Sequence, residues 1–213
     1  MKKLILLIAF CFPILILNAQ THLYEHPQID EIMSSHKQIA ILPFKTSITL
    51  RPKDMKSLSN EQISKMEQDE GLSIQNAMYS WFLKREKNGE TFISVLDPIN
   101  TNTKLRKMGV TFENFEDYTP DELADMIGVD AIIMGTFETN KPMSEGASVA
   151  LGLLAGFYGS TNKAIINMNL YNAKDGVLVA NYNKSISGSM GSSTEDLINI
   201  LMRKASRRVS YSK

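Results

Sequence analysis

Three histidines, His22, His26 and His36, are the side chains of this sequence best suited to general-base or metal-ligand chemistry. His22 and His26 are four apart, so a helix would set them on one face with Glu25 beside them. All three precede the first apolar run, in a polar stretch with nothing to hold a catalytic geometry, and they read as incidental surface histidines. The one cysteine is Cys11. Nucleophile-plus-base pairs built on cysteine or histidine are therefore missing from the body of the chain. A disulfide framework and a cysteine zinc site are excluded on the same ground. Asp97, Asp121, Asp125 and Asp130 fall near predicted strand or helix ends and are the remaining carboxylates with a chemical option. Each also has a plainer role, Asp130 as the residue that closes a turn at Gly128. The sequence assigns no catalytic, cofactor-binding or metal-binding residue.

Binding options are more numerous. The loop 188–193, GSMGSS, joins a predicted strand to a predicted helix, and free amides there could hold an anion. It lacks the lysine of a phosphate-binding loop, Ser192 standing in that place, so helix capping is the plainer reading. Residues 146–160, GASVALGLLAGFYGS, carry no charge and four glycines. Gly152 and Gly156 are four apart, which on a helix makes a close-approach face, with Leu153, Leu154, Phe157 and Tyr158 around it. This segment could pack on its own sheet, bury against another subunit or touch lipid. It is too short to cross a membrane as a helix. Arg203, Lys204, Arg207, Arg208 and Lys213 gather near the C-terminus. There they complement a helix dipole, or would meet an anionic lipid or polymer.

The compartment is written at the start. In MKKLILLIAFCFPILILNAQ, Lys2 and Lys3 precede an apolar run of 14 residues, Leu4 to Leu17, and Asn18-Ala19-Gln20 follows. That is the order of a secretory signal peptide with cleavage after Ala19, and the run is shorter than the roughly 20 residues of a membrane span. Cys11 follows the bulky Phe10 inside the run, so it reads as an ordinary apolar residue of the leader and not as a lipidation site. The whole chain has 213 residues, 23 basic against 23 acidic, and 43% apolar residues. Loss of residues 1–19 leaves 21 basic against 23 acidic side chains and no cysteine. Such a balance argues against a nucleic-acid partner. The product is an exported protein, periplasmic or outer-membrane associated, held together by its core alone.

Segments that could position these groups alternate in period. Residues 20–37 are polar and read as a tail or short irregular helix. Ile39 to Phe44 is a continuous apolar run, a strand buried on both faces and closed by Pro43. Residues 45–59 read as a loop. Apolar residues at spacings of three and four predict a helix over 60–86, or two shorter ones divided at Gly71. Phe92 to Leu96 is a second strand, and a helix around 101–108 ends at Gly109. Thr119-Pro120-Asp121-Glu122 opens a helix with a capping box, Gly128 ends it, and Ala131 to Phe137 is a third strand. Lys163–Tyr171 and Val177–Ser187 alternate about the turn Asn172–Gly176, an antiparallel hairpin with one wet face. A final helix opens at 192–195, with Leu197, Ile198, Leu201, Ala205 and Val209 as its buried stripe. The predicted class is α/β. It is a single three-layer-type domain over 38–213, with a mixed sheet of about five strands, three parallel plus the C-terminal hairpin, packed with helices. An apolar glycine-rich insertion occupies 143–162.

Taken together, IAILPF at 39–44, LADMIGVDAIIMGT at 123–136 and the Lys174-Asp175-Gly176 turn resemble the curli-secretion lipoprotein (CsgG-like) family. They are similar also to its periplasmic relatives, which share a domain like the amino-terminal domain of the translocation protein TolB. The likeness spans about residues 38–210. It implies a non-enzymatic envelope protein that works by assembly, through a protein partner or as a homo-oligomer, in envelope assembly or secretion, without a cofactor. The sequence departs from the channel-forming members in having no lipidation cysteine and one insertion segment where the channel uses two. The matching positions are core and turn positions, so no active-site residue carries over.

Overall fold

The computed structural model describes residues 21–50, 55–56, 58–140, 163–187, 194–208 and 211. The signal-like segment 1–19, the insertion residues Gly152, Leu153, Leu154, Gly156, Phe157 and Tyr158, and the loop 188–193 lie outside the described residues.

The class is α/β with one mixed sheet, as the alternating periods predict, but the sheet has seven strands among the described residues. They are β1 (Thr21–Glu25), β2 (Gln38–Ile41), β3 (Lys45–Ile48), β4 (Ser94–Leu96), β5 (Ala131–Thr139), β6 (Lys163–Asn172) and β7 (Leu178–Ser187). The order along the sheet is β1-β7-β6-β5-β2-β4, with β3 paired to the far half of β5. β4, β2 and β5 are parallel, whereas β5, β6, β7 and β1 run antiparallel in turn. The helices are α1 (Ile29–Ser34), α2 (Asn60–Lys87), α3 (Pro98–Lys107), α4 (Pro120–Ile127) and α5 (Thr194–Arg208).

The connection from β2 to β4 carries α2, and that from β4 back across β2 to β5 carries α3 and α4. Right-handed crossovers in opposite directions must lie on opposite faces, and the core divides accordingly. On one face Ile74, Met78 and Phe82 of α2 and Leu201, Met202 and Ala205 of α5 pack on Ile39, Ile41, Phe137 and Ile166. On the other, Leu105 of α3 and Leu123, Ala124 and Ile127 of α4 pack on Ala40, Leu42 and Ile132. Among the described residues that second layer reaches past β5 only to Tyr171 at the end of β6. Ile165, Asn167, Asn169, Asn181 and Asn183 beyond it remain partly exposed.

Two expectations need correction. The polar stretch 20–37 contains β1 and α1, because β1 is built by pairing with β7 and not by any apolar period of its own. The loop expected over 45–59 begins with β3. Ile41 pairs with Ile133 and Lys45 with Thr136, so three residues of one strand face two of the other, a one-residue bulge at Pro43. Proline has no N–H to lose there. The helix predicted over 60–86 is borne out as one: α2 runs unbroken through Gly71, which is a contact and not a hinge. The Phe44 N–H donates to the Gly71 carbonyl at 3.3 Å, and an added Cβ at Gly71 would stand under 3.0 Å from the Phe44 oxygen.

The local stop and start signals hold. Ser59 and Gln62 form a reciprocal capping box on α2, and the Thr119 N–H donates to Glu122 Oε2 at 2.8 Å on α4. Gly128 ends α4 in the left-handed region at φ 74°. Asp97 caps α3, accepting from the Ile99 and Asn100 N–H groups at 2.8 and 3.3 Å, so that helix starts three residues earlier than its apolar period indicates.

Candidate functional site: a crevice at the carboxyl end of strand β2

The strand order reverses about β2, since the chain leaves it toward β4 on one side and later returns to β5 on the other. In open α/β sheets ligands occupy the crevice at the carboxyl ends of the strands at such a point. A cavity of about 450 Å³ lies there, open on one side, within the range of small-molecule sites. Leu72 of α2, Leu105 of α3, Val110, Phe112 and Phe115 of the following segment and Met134 of β5 give it an apolar lining. Its rim is polar, with Lys45, Gln68, Asn102, Arg106, Glu113 and Glu116.

The segment 109–118 forms a strap over this cavity. Asn114 folds it, accepting from the Thr111 N–H at 2.7 Å and donating to the Gly109 carbonyl at 2.9 Å. Two rim contacts tie it down: Lys45 Nζ to Glu116 Oε1 at 2.6 Å and Gln68 Nε2 to Glu113 Oε1 at 3.1 Å. The Glu113 carboxyl is held below the usual range, first by the Thr111 hydroxyl, then by its own backbone N–H and, less, by Gln68. Both ties are solvent-exposed, so each contributes little to stability; their effect is to place the strap. Below the cavity, buried Gln75 closes the end of β2. Its Nε2 donates to the Ile41 carbonyl at 2.6 Å and to Asn102 Oδ1 at 3.0 Å, while its Oε1 accepts from Asn102 at 2.9 Å. Every polar atom of that side chain is satisfied, as burial requires.

At the amino end of the same strands the titratable candidates have structural duties. His36 is buried, against the surface position expected of it. Asn172 Nδ2 donates to Asp175 at 2.8 Å, so its Oδ1 faces His36 Nε2 at 3.1 Å and accepts from it. The remaining nitrogen, Nδ1, then accepts from the Tyr211 hydroxyl at 2.6 Å. His36 thus links the start of the domain to the β6–β7 turn and to the C-terminal segment. Burial, with the nearby Asp130 charge, holds the Tyr211 phenol well above its ordinary range.

Asp130 does more than close a turn. Its Oδ2 accepts from the Lys37 and Gln38 N–H groups at 2.7 and 2.9 Å, clamping the entry of β2 to that of β5. Partial burial acts to raise its pKa, but the two backbone donors, with lesser help from the Lys37 charge, outweigh it and the net shift is downward. Asp121 abuts the Gly176 turn, and Asp125 is exposed beside a second, polar cavity that also borders His26, Asp130 and Asp175. No group of three or more His, Cys, Asp or Glu is placed to hold a metal among the described residues. His26 Nδ1 accepts from the Gln28 N–H at 3.1 Å, and His22 lies exposed on β1. Arg203, Lys204, Arg207 and Arg208 are exposed on the last turns of α5. No helix among the described residues is long and apolar enough to cross a membrane.

The fold defines an α/β domain with an open mixed sheet, helices on both faces of its parallel half and on one face of its antiparallel half. No family model matches the chain, and no curated protein matches it. Solved structures are similar to it in fold. The PelC dodecamer from Paraburkholderia phytofirmans aligns at TM-score 0.46 and 11% identity, over 89% of this chain and 96% of that one. Lipoprotein GNA1162 from Neisseria meningitidis aligns at 0.40 and 13%, over 81% and 95%. The LpoB C-terminal domain from Salmonella enterica aligns at 0.35 and 6%, over 76% and 94%. Likenesses of this size assign neither family nor function.

Proposed function

We propose that this chain is an exported, non-catalytic domain of the cell envelope, periplasmic or outer-membrane associated, that acts by binding protein. The bound protein is another copy of itself or a different component of envelope assembly or secretion. The leader pattern of residues 1–19 supports export. The structural duties of Asp97, Asp130 and His36 support a role outside catalysis.

The association half of the reading rests on one observation. Among the described residues the antiparallel part of the sheet is covered on one face only beyond Tyr171, and it ends in β1, a strand whose five residues are all exposed, Leu23 at 40% and Tyr24 at 45%. A wet sheet face is ordinary for antiparallel pairs. An uncovered terminal strand carrying large apolar side chains is a ready template for another chain. The insertion residues Gly152, Leu153, Leu154, Gly156, Phe157 and Tyr158 belong to the same proposal as a further contact segment, and deletion of 146–160 should then weaken association.

The test is site-specific photo-cross-linking in the native envelope. Probes at Tyr24 and Asn183 should give discrete protein adducts, and a probe at Lys107, exposed at the end of α3, should give none. A chain that yields no adduct from the uncovered face, or that is recovered in the cytosol still bearing residues 1–19, would sink the reading. A second reading, a small-ligand module, draws support from the crevice. The anion-binding form of that reading, on the loop 188–193, remains a proposal for residues outside those described.

A further inference from the structure

The geometry points to a specific occupant for the β1 edge: a second copy of this chain. Two β1 strands pair antiparallel across a two-fold axis at Leu23, so that one sheet continues from copy to copy. The inference rests on the association reading above and commits it to one surface and one partner.

The ladder decides which backbone groups face outward. The His26 N–H donates to the Val179 carbonyl at 2.8 Å, in the same register that pairs Thr21 with Lys184 and Glu25 with Ala180. Alternation in an antiparallel ladder then turns the N–H and C=O of His22 and Tyr24 toward β7, and those of Leu23 and Glu25 away from it. No strand lies beyond β1 among the described residues. Three devices that usually blunt an edge are missing from β1, which has no proline, no bulge and no lysine.

The outward groups belong to odd-numbered residues, and the strand is centred on one of them. A two-fold axis at Leu23 therefore makes Leu23 face Leu23 of the second copy as a hydrogen-bonded pair. Each copy's Glu25 falls opposite the other's Thr21. This is an isologous contact, with the same patch used twice, and it sets no like charges against each other.

Charge selects that register. Thr21, Leu23 and Glu25 share a face with Ala180, Tyr182 and Lys184, their cross-strand partners. Lys184 is buried and its Nζ donates to Thr21 Oγ1 at 2.5 Å. Burial lowers the Lys184 pKa, and the charges of Lys204 and Arg208 on α5 lower it further. These three cations and Glu25 make no ion pair among the described residues. Pairing at Leu23 carries the second copy's Glu25 to the strand position beside Thr21, on the face where Lys184 reaches outward. Strands about 4.8 Å apart let a lysine and a glutamate meet across the one intervening threonine. Each copy thus supplies the acid that the other lacks. A slip of two residues opposes Leu23 to a polar residue and takes Glu25 off the cationic cluster.

The experiment uses the full chain with Cys11→Ser, so that introduced cysteines are alone. In a hydrogen-bonded antiparallel pair the facing Cα atoms are about 5.5 Å apart, within disulfide reach. Leu23→Cys should close to a covalent dimer on mild oxidation. Glu25→Cys, roughly 13 Å from its own copy in this register, should stay monomeric. Sedimentation velocity over a concentration series should show a reversible dimer. Leu23→Pro should abolish it while leaving circular dichroism and melting temperature unchanged, since only an outward N–H is lost. Glu25→Lys should weaken it at least about tenfold, about 1.4 kcal/mol, and raised salt should weaken the wild type.

A monomer at every concentration overturns the inference while leaving association with other proteins standing. So does an oligomer that survives Leu23→Pro, or cross-linking that is equal at positions 23 and 25. Photo-adducts from Tyr24 to a different protein alone would make β1 a strand-addition site for that partner, and the self-pairing wrong. Should Leu23→Pro unfold the chain, the cysteine pair and Glu25→Lys decide the question.

Discussion

In an exposed helix interior, replacing glycine by alanine gains about 1 kcal/mol; at Gly71 the sign should reverse. An alanine Cβ there would stand under 3.0 Å from the Phe44 carbonyl oxygen, 3.3 Å from its carbon and 3.4 Å from Phe112 Cε1. The first two atoms are backbone, at the bulge between β2 and β3, and cannot rotate aside. Nor can α2 slide away, because Gln75 one turn on is bonded to the Ile41 carbonyl and Ile74, Met78 and Phe82 are almost fully buried. Overpacking of this kind costs about 1–3 kcal/mol. Separating the two backbones also loses the Phe44-to-Gly71 hydrogen bond, about 1 kcal/mol. Set against the propensity gain, Gly71→Ala should destabilise the domain by about 1–3 kcal/mol. Urea unfolding followed by the fluorescence of Trp81, the single tryptophan, measures it, with Ser80→Ala on the exposed side of the same helix as control. The control should be neutral or slightly stabilising. A Gly71→Ala variant as stable as the wild type or more so, with an unchanged denaturant slope, would refute the close approach of α2 to Phe44.

Other consequences can be checked with the same assay or a simple titration. Tyr211→Phe removes the donor to His36 Nδ1 and should cost about 1–2 kcal/mol, visible as a lower urea midpoint; no change would mean that the buried bond contributes nothing. Asp130 has a lowered pKa in the fold, so its stabilisation should be complete above its unfolded value of about 3.9 and fade as pH falls through the folded value. Asp130→Asn should therefore be less stable than wild type at neutral pH, and the gap should close in acid; a gap that is constant or widens in acid would contradict the two-donor clamp. Gln75→Ala strands the Ile41 carbonyl and Asn102, a loss of about 1–3 kcal/mol by urea unfolding. For the crevice, a solvatochromic acyl probe should bind saturably and about tenfold more weakly to Phe112→Ala; equal binding by both proteins would place the probe elsewhere.

What could be read from the sequence was what neighbouring residues decide. The capping box at Thr119 and Glu122, the left-handed stop at Gly128, the alternation of β6 and the Ile198, Leu201 and Ala205 part of the α5 stripe are set within a few residues by backbone sterics and side-chain period. Their positions in the fold follow the reading closely. The α/β class came from the same local signals, strands and helices alternating along the chain. β1 and β3 carry no such signal. Each is four or five mostly polar residues, and each is a strand because a distant one, β7 or β5, offers it a ladder. The buried state of His36 depends on partners 136 and 175 residues away, so its polar surroundings in the sequence pointed the wrong way. Gly71 looked like a weak point for the same reason: helix propensity is local, but the Phe44 carbonyl that forbids a Cβ is not. The crevice, the covered and uncovered halves of the sheet, and the set of exposed backbone groups on β1 belong to no segment. They arise where two crossovers pack on opposite faces and reach no further than the end of β6, a boundary set by helix number and strand order that only the assembled chain contains.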